Sequence, residues 1–107
     1  MITNYMIIGY GWRADFYYRI AKLLPERFSV CAGVLRTEER AKEVAHKEGV
    51  FATSDLDQAL ERKPDFAVLC VPRDVTKDYL VKLMKKGIPV LCETPPGKNV
   101  EELKELW

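Results

Sequence analysis

A glycine-rich loop near the amino terminus has the residue types that hold a diphosphate. Residues 9–14 read GYGWRA and fit the pattern G-x-G-x-x-G/A. The first glycine permits a tight turn, the second lets a phosphate approach the backbone, and the small alanine lets a helix pack on a strand. The amides that open such a helix face the phosphates at the positive end of its dipole. We therefore predict a cofactor-binding loop that consists of Gly9, Tyr10, Gly11, Trp12, Arg13 and Ala14 and holds a dinucleotide's pyrophosphate. The aromatic side chains of Tyr10 and Trp12 need only shield the loop. The alternative is a glycine turn with no ligand.

The second apolar run ends without the acid that usually binds the adenosine ribose. Leu35 occupies that position, and Arg36 and Thr37 follow it. Leu35 removes a carboxylate that would repel a 2′-phosphate, and Arg36 offers that phosphate a charge-assisted hydrogen bond. These residues favour NADP over NAD, although Glu38 and Glu39 close by weaken the preference. The alternatives for Arg36 are stacking on the adenine or simply facing water.

Two further segments follow strand-sized apolar runs and are expected beside the nicotinamide end of the site. Open parallel sheets bind ligands at the carboxyl ends of their strands, where the strand order reverses. The fourth and fifth runs would deliver to that point Val71, Pro72, Arg73, Cys92, Glu93 and Thr94.

The cysteines and the histidine predict no metal site. Cys31, Cys70 and Cys92 are odd in number, widely spaced and embedded in apolar runs, which argues against a disulfide framework and a zinc site. We interpret them as buried thiols; the alternative for Cys92, which lies beside the expected cofactor site, is a reactive thiol. His46 lies on a polar helix face and is expected to face solvent.

The elements that must position these residues alternate between strand and helix. The apolar runs predict strands over residues 5–8, 28–35, 50–52, 66–71 and 89–92. Apolar spacing and capping residues predict helices over residues 13–24, 37–48, 54–60 and 75–86, and a last helix from Asn99 to Trp107. Thr37 and Ser54 are the expected amino-terminal caps of the second and third helices. Pro25 ends the first helix, and Gly49 and Gly87 end the second and fourth.

Helical spacing also predicts which side chains face the core. On the first helix the apolar residues at this spacing are Phe16, Ile20, Leu23 and Leu24. On the second helix the inner face is Ala41, Val44 and Ala45, on the third Leu56, Ala59 and Leu60, and on the fourth Leu80, Leu83 and Met84.

Strict alternation of strand and helix predicts an α/β fold. Parallel strands joined by right-handed crossovers give a doubly wound Rossmann sheet, for which we expect the order 3-2-1-4-5. The fourth run is apolar throughout, as when both sheet faces are covered. With 107 residues the chain has room for one domain, so residues 1–107 are predicted to be one dinucleotide-binding domain.

Composition excludes several other functions. The chain has 17 Lys and Arg against 16 Asp and Glu, and these charges are interleaved, so no basic block indicates nucleic-acid binding. The longest apolar runs are far shorter than the roughly 20 residues of a membrane span. The amino terminus lacks a signal-peptide pattern, and a cytoplasmic location is the default expectation.

At this level of detail the chain resembles the amino-terminal domain of the Gfo/Idh/MocA oxidoreductases. The resemblance rests on the glycine loop, on the Val71-Pro72 turn and on residues 87–95, which read GIPVLCETP. It covers essentially the whole chain. It implies that this domain binds NAD or NADP, and that a second, carboxyl-terminal domain, absent from this sequence, holds the substrate and builds homo-oligomers. By position, Arg36 and Thr37 would then meet the adenosine, while Val71, Pro72, Arg73, Glu93 and Thr94 would line the nicotinamide end.

Three positions depart from the family's pattern. Arg73 replaces the usual asparagine, Thr76 replaces a frequent histidine, and Thr94 replaces the catalytic lysine of the Glu-Lys-Pro motif. A lysine can be tuned to exchange a proton near neutral pH, whereas a threonine hydroxyl is a very poor acid or base there. We therefore predict no catalytic residue in this chain.

Three functions remain open at this stage. The first is the cofactor domain of an NAD(P)-dependent oxidoreductase acting on a sugar-like or other small hydroxyl or carbonyl compound, with the isolated domain inactive. The second, motivated by Thr94, is a non-catalytic sensor that retains the nucleotide pocket. The third is a Rossmann domain for another adenine nucleotide or for a methyl donor.

Overall fold

Strands and helices alternate along the chain in the computed structural model, which describes residues 2–71 and 73–92, with the side chains of Trp12, Arg73 and Asp74 set aside. The strands are β1 (Thr3–Ile8), β2 (Phe28–Val34), β3 (Ala52–Thr53), β4 (Phe66–Leu69) and β5 (Val90–Cys92). The helices are α1 (Trp12–Leu23), α2 (Glu38–Glu48), α3 (Leu56–Leu60) and α4 (Arg73–Lys85). The predicted helix from Asn99 to Trp107 lies outside the described residues.

The five strands form one parallel sheet in the order β3-β2-β1-β4-β5. The central strand β1 pairs with β2 on one side and with β4 on the other, so the strand order reverses at β1. At the carboxyl end of the sheet, Ile8 pairs with both Val34 and Leu69. The predicted doubly wound Rossmann fold is confirmed, and with it the place where a ligand is expected.

Each face of the sheet is covered by two helices. Successive side chains of a strand point to opposite faces, and β1 follows this rule. Tyr5 and Ile7 pack in a cluster with residues of α1 and α2, whereas Met6 and Ile8 pack in a cluster with residues of α3 and α4. All four side chains are almost fully buried. The central strand is therefore apolar throughout because helices cover both of its faces.

The buried face of α1 differs from the predicted one. Phe16 is 55% exposed and Leu23 is 77% exposed, whereas Ala14 and Tyr18 are buried. Leu24 follows the helix as its cap and is also exposed. The small Ala14 lets α1 approach the sheet, and Tyr18 lies over Gly33, where an added Cβ would stand 2.4 Å from the Tyr18 hydroxyl oxygen. Ala14 and Tyr18 therefore make the contact with the sheet that we predicted for larger apolar residues such as Phe16.

The predicted cap of α2 is confirmed, whereas the predicted cap of α3 is wrong. Thr37 Oγ1 accepts a hydrogen bond from the Arg40 amide at 3.1 Å. Asp55, not Ser54, caps α3, because its Oδ1 accepts from the Asp57 amide at 2.9 Å. Ser54 instead donates its hydroxyl and its amide to Glu38.

Several bounds and burial predictions need correction. β3 covers Ala52–Thr53 rather than residues 50–52, β4 ends at Leu69 rather than residue 71, and α4 begins at Arg73 rather than residue 75. Met84 on α4 is 55% exposed, while Leu80 and Leu83 are buried as predicted. The three cysteines are free thiols that are only half-buried, although each packs against one of the core clusters.

Candidate functional site

The loop after β1 lies where the strand order reverses. The Gly9 amide donates to the Val34 carbonyl of β2 at 2.8 Å. On the other side, a Cβ on Gly9 would lie 2.1 Å from the Cys70 carbonyl oxygen and 3.2 Å from Val71 Cγ1. Gly9 also has φ of +102°, a conformation that favours glycine. The first glycine of the motif therefore fits tightly between the ends of β2 and β4.

The second glycine has the opposite surroundings. Gly11 is the residue that caps α1, with φ of 157° and ψ of −171°, and as a glycine it provides no side-chain cap for the helix. Among the described residues other than its two chain neighbours, no atom lies within 4 Å of an ideal Cβ built on Gly11. Ala14 is fully buried one turn later, so the helix packs closely on the sheet. An uncapped helix start with open space at the glycine suits a phosphate group, and the loop therefore fits the pyrophosphate of a dinucleotide.

The side chain of Tyr10 turns away from this open space and lies between α1 and α2. Its hydroxyl donates to Glu48 Oε2 at 2.9 Å. Its ring lies 6.0 Å from the Tyr18 ring, and Lys47 Nζ stands 5.4 Å from its centroid. Tyr10 therefore anchors the loop to the helices through its side chain.

Glu48 is a buried charged residue that the sequence analysis did not single out. Its side chain is 2% exposed, and Oε1 accepts from Lys22 Nζ at 2.5 Å. Burial raises the pKa of Glu48, but the hydrogen bonds from Lys22 and Tyr10 and the charges of Lys22 and Lys47 outweigh burial and lower the pKa. The signal was the helical spacing of Ala41, Val44 and Glu48, which places all three on the buried face of α2.

The expected adenosine end has one buried and two accessible residues. Leu35 is 5% exposed and packs in the α1–α2 cluster, so it presents no polar group to a ribose. Arg36 is exposed, and the oxygen of Thr37 caps α2. The Glu38 carboxylate accepts two hydrogen bonds from Ser54, which lower its pKa and keep it charged.

The structure describes only part of the expected nicotinamide end. Val71 lies beside Gly9, as the sheet topology predicts for residues that follow β1 and β4. Pro72, Glu93 and Thr94 lie outside the described residues, as does the side chain of Arg73. Cys92 ends β5, pairs with Leu69 and is half-buried.

A large open cavity lies away from the glycine loop. It is an open groove of about 780 Å³ between α3 and α4, which we call the α3–α4 groove. Its lining includes Val34, Ser54, Leu60, Val75, Tyr79 and Lys82. His46 is exposed on α2, as expected.

Within residues 2–71 and 73–92, no group of three or more His, Cys, Asp or Glu side chains is placed to bind a metal ion. Among the helices described, none has the length and apolar character required to cross a lipid bilayer.

Comparison with known proteins identifies the family. Residues 3–107 match the profile of the Gfo/Idh/MocA family, described as an oxidoreductase family with an NAD-binding Rossmann fold. The chain belongs to the Gfo/Idh/MocA family. The match identifies residues 3–107 as an NAD(P)-binding oxidoreductase domain, which confirms the resemblance seen in the sequence.

Two relatives of this Gfo/Idh/MocA chain are named as dehydrogenases. The chain is 34% identical over 107 residues to scyllo-inositol 2-dehydrogenase (NADP(+)) of Bacillus subtilis, covering 98% of this chain and 32% of that protein. It is 32% identical over 106 residues to D-glucoside 3-dehydrogenase of Escherichia coli, covering 94% of this chain and 29% of that protein. The chain thus spans about a third of the length of these relatives.

A solved structure supports the fold. The WlbA dehydrogenase from Chromobacterium violaceum, in complex with NADH and UDP-GlcNAcA, superposes with a TM-score of 0.85. The match covers 97% of this chain and 30% of that chain at 16% identity.

Proposed function

We propose that this chain is the cofactor-binding domain of an NAD(P)-dependent oxidoreductase that acts on a sugar-like or other small hydroxyl or carbonyl compound. The observation that carries the proposal is the glycine loop, in which Gly9 fits between two strand ends and Gly11 opens onto free space at the start of α1. The names of the two relatives, dehydrogenases of an inositol and of a glucoside, support the substrate class.

In this proposal the chain binds and orients the cofactor. The nicotinamide supplies hydride transfer when it is bound. The amides at the start of α1 bind the pyrophosphate, because the helix dipole favours an anion at the helix start. Val71, beside Gly9, together with Pro72, Arg73, Glu93 and Thr94, borders the nicotinamide. A further domain of the parent protein holds the substrate and forms any subunit contacts, so the isolated domain is expected to turn over nothing.

Titration calorimetry with NADPH and NADH tests the proposal. We expect the chain to bind one or both, and Gly11→Ala to lose most of that affinity, because its methyl group would project into the space that the phosphate needs. Gly11→Ala should keep its core, since no described atom outside the adjoining residues lies within 4 Å of the Cβ, although φ of 157° strains an alanine locally by about 1–3 kcal/mol and adds to the loss of affinity. Gly9→Ala is the contrasting variant: its Cβ would overlap backbone at 2.1 Å and should destabilise the fold itself. Binding of neither cofactor by the unaltered chain would contradict the proposal.

For the choice of cofactor we propose NADP. Leu35 places no carboxylate at the end of β2, and the exposed Arg36 follows it. Arg36→Ala should weaken NADPH binding about ten- to a hundredfold, the effect of losing one charge-assisted hydrogen bond of roughly 1.5–3 kcal/mol. Arg36→Ala should change the affinity for NADH only slightly. Arg40→Ala, which removes another exposed arginine of the same region, is the control. Equal losses for both cofactors would argue against a contact with the 2′-phosphate.

A second candidate function is a sensor that binds the nucleotide without catalysis. Thr94, in place of the family's lysine, favours it. The parent protein would then bind cofactor but transfer no hydride to any of a broad panel of sugars and cyclitols. Gain of activity on Thr94→Lys would instead identify an enzyme that has lost its proton-transfer group.

A further inference from the structure

We propose that Glu48 and Lys22 are positioning residues that hold the glycine loop in its phosphate-binding shape through the side chain of Tyr10. The proposal rests on the proposed function, since it assigns these residues a part in the binding of the same cofactor. Neither residue lies in the glycine motif, and neither is expected to touch the cofactor.

The contacts join three separate elements at one carboxylate. Glu48 is the last residue of α2, and its side chain is 2% exposed. One oxygen accepts from the Tyr10 hydroxyl at 2.9 Å, and the other accepts from Lys22 Nζ at 2.5 Å. Lys22 belongs to the last turn of α1, the helix that the loop opens. The carboxylate thus ties the loop to the far ends of both α1 and α2.

Tyr10 transmits this contact to the backbone of the glycine turn. It stands between Gly9 and Gly11, which have no side chains with which to fix the loop. Chain segments with two glycines have large conformational freedom, and this freedom must be lost when a ligand binds. The Tyr10 ring is further enclosed by Tyr18 at 6.0 Å and by Lys47 Nζ at 5.4 Å. Fixing Tyr10 therefore fixes the backbone between the two glycines before the cofactor arrives.

The negative charge of Glu48 strengthens its hydrogen bonds with Tyr10 and Lys22. Burial alone would favour the neutral acid, but Lys22, Tyr10 and Lys47 together lower the pKa of Glu48, so the carboxylate is ionised at neutral pH. Hydrogen bonds to an ionised acceptor are shorter and stronger than those between neutral groups.

The test compares cofactor affinity among variants of the full 107-residue chain. Tyr10→Phe removes one oxygen and leaves the ring in place, and Glu48→Ala removes the acceptor. If the glycine loop of either variant adopts its phosphate-binding shape only about a tenth of the time, NADPH and NADH should bind about tenfold more weakly. Glu48→Gln keeps an oxygen that can accept from Tyr10 and should recover most of the affinity. Glu26→Ala, which removes an exposed carboxylate from the turn after α1, should bind like the unaltered chain.

A double variant separates a shared role from two independent ones. Because Tyr10 and Glu48 act through one contact, Tyr10→Phe combined with Glu48→Ala should bind no more weakly than Glu48→Ala alone. Unchanged affinity in the single variants, or losses that add in the double variant, would overturn the proposal. Failure of Glu48→Gln to bind better than Glu48→Ala would also count against it.

Amide hydrogen exchange without cofactor separates this proposal from the proposed function. The Gly9 amide is bonded to the Val34 carbonyl and the Asp15 amide to the Gly11 carbonyl, so the two report on either end of the loop. Both should exchange about tenfold faster in Tyr10→Phe and in Glu48→Ala, as expected for local opening. If the unaltered chain bound no cofactor, the proposed function would fail, and exchange alone would decide the inference. Exchange rates equal to those of the unaltered chain would overturn it.

Discussion

The two faces of the sheet bury different kinds of side chain. On the α1–α2 side the buried cluster contains Tyr5 and Tyr18, and Glu48 is buried beside it. On the α3–α4 side the buried cluster is aliphatic, with members such as Leu80 and Leu83, and an open groove of about 780 Å³ lies between the helices. Apolar packing tolerates many combinations of side chains, whereas hydrogen bonds require particular partners. The α1–α2 face, where Glu48 accepts from Tyr10 and Lys22, is the one that contacts the glycine loop through the Tyr10 side chain.

Truncation on the aliphatic face should have the largest effect on stability and little effect on the loop. Leu83 is fully buried, so Leu83→Ala should lower the free energy of unfolding by about 2–5 kcal/mol. Met84→Ala, at a position that is 55% exposed, should change it by less than about 0.5 kcal/mol. Urea denaturation measures both. Below the transition, the folded Leu83→Ala protein should retain its cofactor affinity, and a loss like that of Tyr10→Phe would show that the two faces are coupled.

Enlarging Gly33 should have a smaller effect that depends on Tyr18. The added Cβ of Gly33→Ala would lie 2.4 Å from the Tyr18 hydroxyl oxygen, and overpacking of this kind costs about 1–3 kcal/mol. The other neighbours of that Cβ stand at 3.7 and 3.8 Å, which are ordinary contacts. In a Tyr18→Phe background the cost should therefore fall markedly. Equal costs in the two backgrounds would mean that the backbone, not the hydroxyl, limits position 33.

Two tyrosine-to-phenylalanine changes on the same face of the sheet should change the free energy of unfolding in opposite directions. The Tyr18 hydroxyl is buried without a hydrogen-bond partner among the described residues, so Tyr18→Phe should raise the free energy of unfolding by up to about 1 kcal/mol. The Tyr5 hydroxyl donates to the Tyr17 carbonyl, so Tyr5→Phe should lower it by about 0.5–1.5 kcal/mol. Denaturant titrations compare the two. A destabilised Tyr18→Phe protein would contradict the assignment of its hydroxyl as unpaired.

The smallest expected effect is the pH dependence of Glu48. Because folding lowers the pKa of Glu48, its stabilising contribution is present above the ordinary glutamate pKa and is lost as the pH falls through the folded pKa. The stability difference between the unaltered chain and Glu48→Gln should therefore be greatest near neutral pH, under about 1 kcal/mol given the half-exposed Lys22, and should shrink in acid. Glu26→Gln is the control without a buried partner. A stability difference that grows in acid would contradict the prediction that folding stabilises the charged form of Glu48.

The strand and helix order could be predicted because apolar runs and capping residues are local signals. Thr37 caps α2 as its residue type predicts, and the strand order follows from right-handed crossovers. The prediction of the buried face of α1 was wrong because hydrophobic spacing favours Phe16 over Ala14 and Tyr18. Proximity to the sheet favours the small Ala14, and the missing side chain of Gly33 accommodates Tyr18. That fit depends on residues distant in sequence, which local periodicity does not include.

The glycine loop could be predicted because its pattern follows a strand and opens a helix, but the residues that support it could not be recognised from their type. Glu48 is a charged residue near a helix end, where most such residues are solvated. Only its spacing from Ala41 and Val44 indicated burial, and its partners Tyr10 and Lys22 lie 38 and 26 positions away. A hydrogen bond between such distant positions becomes evident only when the helices are packed.

The two-residue length of β3 has a consequence for self-association. A sheet edge recruits strands from other molecules through its row of unpaired amides and carbonyls. β3 is two residues long and pairs with β2 through Ala52 and Thr53, so it offers few such groups to another chain. An edge this short is a poor template for intermolecular β-structure, which protects that side of the domain from amyloid-like growth.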